Sequence, residues 1–91
     1  MSAVTTRTVE VVNPLGLHAR AAARFVTRAD QFRSRIRVTH GTRTMDGKSI
    51  LGLLLLAAAR GSALTLSADG PDEADAIAAL VDLIEHGFEE S

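Results

Sequence analysis

The chain has 91 residues, of which 46% are hydrophobic and 23% charged, with no cysteine and a formal net charge of −1. That fits one small domain, 1–91, near the lower size limit for a single hydrophobic core, and it excludes a disulfide framework, a thiol nucleophile and a thiolate metal site. The aromatics are Phe25, Phe32 and Phe88 and the sequence pI is about 6.3, so a nucleic-acid partner, which needs stacking platforms and a basic surface, is not expected.

In chain order, Arg7 to Val12 alternates polar and apolar residues with Val9 and Val11 on one face, which predicts a strand. Asn13-Pro14-Leu15-Gly16 ends it, because proline cannot extend a ladder and glycine permits a tight turn. Ala19 to Ala29 is alanine-rich and predicts a helix with Ala22, Phe25, Val26 and Ala29 inward and an arginine stripe at Arg20, Arg24 and Arg28. Arg35 to His40 alternates again, with Ile36 and Val38 inward. Gly41-Thr42 predicts a hairpin turn into a short strand through Met45, which Asp46-Gly47 closes. Ser49 then caps a second helix, Ile50 to Ala58, and Ala63 to Ala68 alternates around inward Leu64 and Leu66. Gly70-Pro71 opens the last helix, with proline in its first position, Asp72 and Glu73 at its positive end, and a buried stripe of Ala74, Ile77, Val81, Ile84 and Phe88. The order βαββαβα gives an α+β fold, an antiparallel sheet of four strands with helices on one face.

Residues 1–60 hold every lysine and arginine but only three acids, Glu10, Asp30 and Asp46, whereas 61–91 are acidic without a basic residue. The first part therefore offers a positive field for anionic ligands or acidic partner surfaces, although an arginine-rich coding bias would give the same pattern. The N-terminal residues lack the layout of a signal peptide. The longest apolar run, Ile50 to Ala59, is half of the roughly 20 residues that a membrane span requires. A cytoplasmic protein without a membrane span is expected.

The chemistry concentrates in Gly16-Leu17-His18-Ala19-Arg20. His18 falls where a turn meets a helix start, so the unpaired first-turn amides near Ala19 and Arg20 form an anion site beside it. Neutral imidazole is a nucleophile near pH 7, and the Arg20 guanidinium can bind phosphate oxygens. Histidine, amides and guanidinium together suit phosphoryl transfer. The sequence shows no nearby carboxylate or serine for a triad, no second histidine at metal spacing and no nucleotide loop. From spacing alone, a ring that merely caps the helix is the competing reading. His40 and His86 read as structural. Ser49 reads as a plain cap or as a phosphorylation site at a helix N-terminus. Ile50 to Leu56 covers most of a helix circumference with apolar residues. With Leu53 and Leu56 inward, Ile50, Leu51 and Leu54 form an exposed patch suited to a partner protein.

Gly16-Leu17-His18-Ala19-Arg20, followed by Lys48-Ser49-Ile50-Leu51-Gly52-Leu53 and the ending Gly87-Phe88, resembles HPr, the histidine-containing phosphocarrier family of the phosphoenolpyruvate-dependent phosphotransferase system. The resemblance covers nearly the whole chain. It implies an open-faced sandwich of four antiparallel strands and three helices. It also implies that His18 takes a phosphoryl group on Nδ1 from phospho-enzyme I and passes it to an enzyme IIA-type protein, as a covalent relay rather than an independent catalyst. In that scheme Arg20 stabilises the phosphohistidine and the amides of Ala19 and Arg20 bind its oxygens. Ser49 matches the serine modified by HPr kinase/phosphorylase, and Ile50, Leu51 and Leu54 match partner-docking positions. No metal or cofactor is implied, and the protein is expected to be a monomer.

Two residues depart from the family pattern. Ala21 stands where most members have proline, and Leu15 stands where many sugar-type members have a small polar residue. The Ala-Arg-Ala run, the arginine-for-lysine bias and the Gly-Phe-Glu-Glu ending look more like the nitrogen-type regulatory branch. An alternative is a regulatory interaction module controlled by Ser49 phosphorylation. A small-ligand-binding α+β domain explains neither His18 with Arg20 nor the apolar patch.

Overall fold

The structure, a computed structural model, describes residues 4–90. Residues 1–3 and 91, which belong to the expected 1–91 domain, lie outside the described residues. The elements are β1 (Thr5–Glu10), α1 (Ala19–Ala29), β2 (Arg35–His40), β3 (Arg43–Asp46), α2 (Ile50–Leu55), β4 (Ala63–Asp69) and α3 (Glu73–Glu85), followed by one 3-10 turn at Gly87–Glu89. This is the expected βαββαβα order. The strands form one antiparallel sheet ordered β1-β4-β2-β3.

Register follows from the two-residue period of each strand. Val9 pairs with Leu64, Val38 with Leu66 and Ile36 with Ala68, and all six are buried on the helix-covered face. Polar partners such as Thr8 with Thr65 and Arg37 with Ser67 share the other face. Helix α3 packs on β1 and β4, α2 packs beside β3, and α1 lies against both α2 and α3. Phe25, Leu53, Leu80, Ile84 and Phe88 belong to the core, each at most 1% exposed.

Helix α1 has the expected bounds, and the Gly41-Thr42 turn joins β2 to β3 as expected. Five expectations are corrected. Strand β1 lies two residues earlier than the alternation from Arg7 suggests. Past Glu10, Val11 pairs instead with the loop before β4, donating to Ser62 O at 2.9 Å and accepting from Gly61 N at 2.7 Å. Helix α2 stops at Leu55 rather than Ala58, because Ala57 takes a left-handed backbone (φ 49°) with no glycine to announce it.

Helix α3 begins at Glu73, so Pro71 precedes the helix instead of occupying its first position. Asp72 stands at the N-cap, but its carboxylate reaches back to another segment. It accepts from Arg33 N and Ser34 N, each at 2.9 Å, and from Ser34 Oγ at 2.5 Å. The buried stripe of α3 is Ala76, Ile77, Leu80, Val81, Leu83 and Ile84. Rotation of that face toward Leu80 and Leu83 turns Ala74 out to solvent. On α1, Val26 is only half-buried while Ala21 is fully buried.

Candidate functional site

The loop between β1 and α1 places His18. Gly16 adopts φ 66°, a conformation that favours glycine, and a Cβ there would lie 2.5 Å from the carbonyl oxygen of Ala58. Leu17 is buried and donates its N–H to that same carbonyl at 2.9 Å. The loop is thereby seated on the segment after α2, and the next residue enters α1 as its N-cap. His18 has the extended backbone of an N-cap (φ −80°, ψ 179°), and its Nδ1 accepts from Arg20 N–H at 3.3 Å. A ring nitrogen here takes the place of the usual side-chain oxygen.

On the other edge of the ring, Nε2 lies 2.9 Å from Glu90 Oε1. The partners fix the tautomer. Nδ1 faces a donor and carries the lone pair, so Nε2 carries the proton and donates it to the carboxylate. Asn13, 3% exposed, donates Nδ2–H to Gly16 O at 2.7 Å and to Glu90 Oε1 at 2.5 Å. Rotating that amide would set its oxygen against two acceptors, so the network fixes it as well. The His18 hydrogen bond is the main cause holding the Glu90 carboxyl below the usual range, helped by Asn13 and by the Arg24 charge against a burial penalty.

Glu90 corrects the expectation that no carboxylate lies near His18. It arrives from 72 positions along the chain. The sequence signals the end of α3 with Gly87, but nothing local tells where the following acids go. Asn13, which the sequence marks only as part of a strand-ending turn, likewise joins the site through tertiary packing.

The arginine stripe divides. Arg24 Nη1 donates to Phe88 O at 2.7 Å, and Arg28 bonds Gln31 and lies 5.5 Å over the Phe32 ring. Arg20 is exposed and makes no salt bridge among the described residues. It is thus the arginine of the three left available to a ligand at the His18 end of α1. Ala21, in the place of a proline, leaves the helix start intact. Leu15 is 70% exposed and offers no side-chain hydrogen bond.

Ser49 caps α2, its Oγ accepting from Gly52 N at 3.0 Å. Leu53 and Leu56 are buried, while Ile50, Leu51 and Leu54 are 42%, 68% and 37% exposed, as the sequence suggested. The structure adds Leu55 to this apolar surface. At the far end of α2, Arg43 Nη1 donates to Leu55 O at 2.9 Å and His40 Nδ1 lies 2.8 Å from Leu56 O, so His40 holds a helix end. His86 Nδ1 lies 2.8 Å from Asp82 O one turn back, and that contact, with the nearby Asp82 charge, raises its pKa above the usual histidine value. No helix among the described residues is long and apolar enough to cross a membrane. No group of three metal-ligating side chains occurs among them either.

A family model described as the PTS HPr component phosphorylation site matches residues 5–86. The phosphocarrier protein HPr of Neisseria meningitidis serogroup A is 49% identical over 84 residues, 92% of this chain and 94% of that protein. Among solved structures, HPr-C-His from Thermoanaerobacter tengcongensis superposes with a TM-score of 0.91 at 46% identity, covering 96% of this chain and 98% of the other. An HPr dimer from the same organism gives a TM-score of 0.76 at 47% identity, covering 99% of this chain and all of that one.

Proposed function

The chain belongs to the HPr family, the phosphocarriers of the phosphotransferase system, and we propose that His18 is the residue on which it carries the phosphoryl group. The observation behind this reading is the orientation of the ring, whose Nδ1 lone pair faces the N-terminus of α1 while Nε2 is tied to Glu90. Transfer follows from that geometry. The Nδ1 lone pair attacks the phosphorus of a donor phosphohistidine on enzyme I. The donor's P–N bond breaks and its electron pair returns to the donor ring. Arg20 N–H loses its acceptor when Nδ1 forms the new bond and is then free, with Ala19 N–H, to donate to the phosphoryl oxygens. The exposed Arg20 guanidinium adds charge-assisted hydrogen bonds. In the reverse sense the group leaves to an enzyme IIA-type acceptor, including acceptors of the regulatory branch.

On this reading residues 1–91 act as one domain, a cytoplasmic monomer that relays the group and depends on its partners for chemistry. Ile50, Leu51 and Leu54 are the docking surface, because apolar side chains exposed to water gain from being covered by a partner. A second reading has its own observation. Ser49 Oγ sits at the mouth of α2 next to that surface, where a kinase such as HPr kinase/phosphorylase could add charge without unfolding the helix and so obstruct docking.

Incubation with phosphoenolpyruvate and enzyme I tests the leading reading. One acid-labile phosphoryl group per chain is expected, absent in His18→Ala. No incorporation with an active cognate enzyme I would overturn it. Loss of the biological output in Ser49→Ala but not in His18→Ala would favour the regulatory module instead.

A further inference from the structure

Past α3 the backbone turns through three consecutive left-handed residues. Gly87, Phe88 and Glu89 take φ values of 63°, 57° and 62°. Glycine accepts this region freely, but the other two are strained there, and no other run of consecutive left-handed residues occurs among the described residues. The turn closes with Glu89 N bonding His86 O and Glu90 N bonding Gly87 O, each at 3.1 Å.

Two anchors hold it. The Phe88 ring is completely buried, and Arg24 Nη1 donates to Phe88 O at 2.7 Å. The result is that Glu90, back in extended conformation, lays one carboxylate oxygen against both His18 Nε2 and Asn13 Nδ2. Asn13 is itself fixed by Gly16 O. The turn that buries Phe88 thus also delivers a carboxylate to a reactive ring from the far end of the chain.

We propose that Glu90, held by Asn13, is a positioning residue for phosphoryl transfer that keeps the proton of His18 on Nε2 and balances the charge of the ring while it is phosphorylated. The inference rests on His18 being the phosphoryl acceptor. When Nδ1 bonds to phosphorus with Nε2 still protonated, the ring becomes cationic, and the carboxylate beside Nε2–H offsets that charge. When the P–Nδ1 bond breaks toward an acceptor, its electron pair returns to Nδ1 and the proton stays on Nε2. The departing ring is then neutral imidazole in the tautomer from which it began. Without the carboxylate the proton is free to move to Nδ1, which removes the nucleophile.

The test uses the full chain with enzyme I, phosphoenolpyruvate and the variants Glu90→Gln and Glu90→Ala. Both carry their change on a partly exposed side chain outside the core, and melting curves verify that they fold. Imidazole nitrogen NMR of the unphosphorylated proteins should show the Nε2–H tautomer of His18 in the wild type and in Glu90→Gln, whose amide oxygen still accepts. A mixture with the Nδ1–H tautomer is expected in Glu90→Ala. The kcat for accepting phosphoryl from phospho-enzyme I should fall roughly three- to tenfold in Glu90→Ala, a modest effect because His18 and Glu90 are 26% and 21% exposed. KM for enzyme I should stay unchanged. Glu90→Gln, with the tautomer kept and the charge lost, should fall between the two. Unchanged tautomer and kcat in Glu90→Ala, with a wild type that is phosphorylated normally, would overturn the proposal. A wild type that takes no phosphoryl group overturns the phosphocarrier reading instead, and the tautomer measurement still decides whether Glu90 sets the state of the ring.

Discussion

Gly16 and Ala58 are packed so closely that a single methyl on Gly16 would meet the Ala58 carbonyl oxygen at 2.5 Å. That oxygen already accepts from Leu17 N–H, so it cannot retreat without breaking the bond that seats the His18 loop. The left-handed backbone of Gly16 adds a second penalty for any larger residue. Gly16→Ala is therefore expected to cost more than about 1 kcal/mol, or about 4–8 °C in Tm per kcal/mol for a domain of this size. It should slow phosphorylation as well, because His18 is displaced. A thermal melt and an initial-rate assay check this, and wild-type values in both would show that the contact is not tight.

Phe88 anchors the strained turn that carries Glu90. Removing a fully buried phenylalanine ring costs about 3–5 kcal/mol when a cavity is left. Here the low end, about 3 kcal/mol, is expected for Phe88→Ala, because the last residues can detach instead of enclosing a void. Urea unfolding measures the loss. Amide exchange of Glu89 and Glu90 should become faster in the same variant, since their hydrogen bonds to His86 and Gly87 depend on the turn.

His18 and Glu90 also mark the boundary of what the sequence discloses. His18 was legible because its signals are local: a glycine turn, an alanine-rich helix and an arginine within five residues. The bounds of α1 and the exposed leucines of α2 were legible for the same reason, periodicity against a sheet. Glu90 was not, because its position depends on three consecutive left-handed residues and on a core pocket for Phe88, both set by tertiary packing. Ala57 ended α2 early for a similar reason. It adopts a glycine-like conformation in a run of leucine and alanine that favours helix. Ala74 shows a subtler limit, since a three-four spacing identifies a face but not its angular centre.

Ser49 separates a structural from a regulatory role. Its Oγ receives Gly52 N–H at 3.0 Å, so Ser49→Ala should cost about 1 kcal/mol, while Ser49→Asp keeps an acceptor and a favourable charge at the helix start and should cost about 0.5 kcal/mol or less. If the serine also gates docking, Ser49→Asp should raise KM for enzyme I even though its melting temperature is nearly that of the wild type. Equal KM values for the wild type and both variants would leave Ser49 as a cap and nothing more.

Leu51 is the most exposed residue of α2, at 68%, and makes little contribution to the core. Leu51→Glu should change stability by about 0.5 kcal/mol or less, as surface substitutions do. An effect on partner binding should nonetheless be plain, because the new charge would have to be desolvated under any apolar partner face. Titration against enzyme I and an enzyme IIA-type protein should show weaker binding to whichever uses the patch. Undiminished affinity for both would remove α2 from the docking surface.

Asp72 gives the fold an acid-sensitive clamp. Its carboxyl lies below the ordinary aspartate value, first through the hydrogen bond from the Ser34 hydroxyl and then through Arg33 N–H, with burial opposing and Ser34 N–H adding a smaller share. A carboxyl whose folded value is depressed binds its proton more readily in the unfolded chain. Its contribution is therefore fully present above the unfolded value, near 3.8, and is lost as pH falls through the lower folded value. Ser34 is completely buried, and a Cβ on Gly70 would lie 2.6 Å from its Cα, so this junction cannot shift to find other partners. Urea midpoints measured from pH 5 to pH 2 should fall more steeply in the wild type than in Asp72→Asn, which lacks the titrating group and starts from a lower midpoint at pH 5. Parallel curves for the two proteins would show that the Ser34–Asp72 contact does not carry the acid dependence.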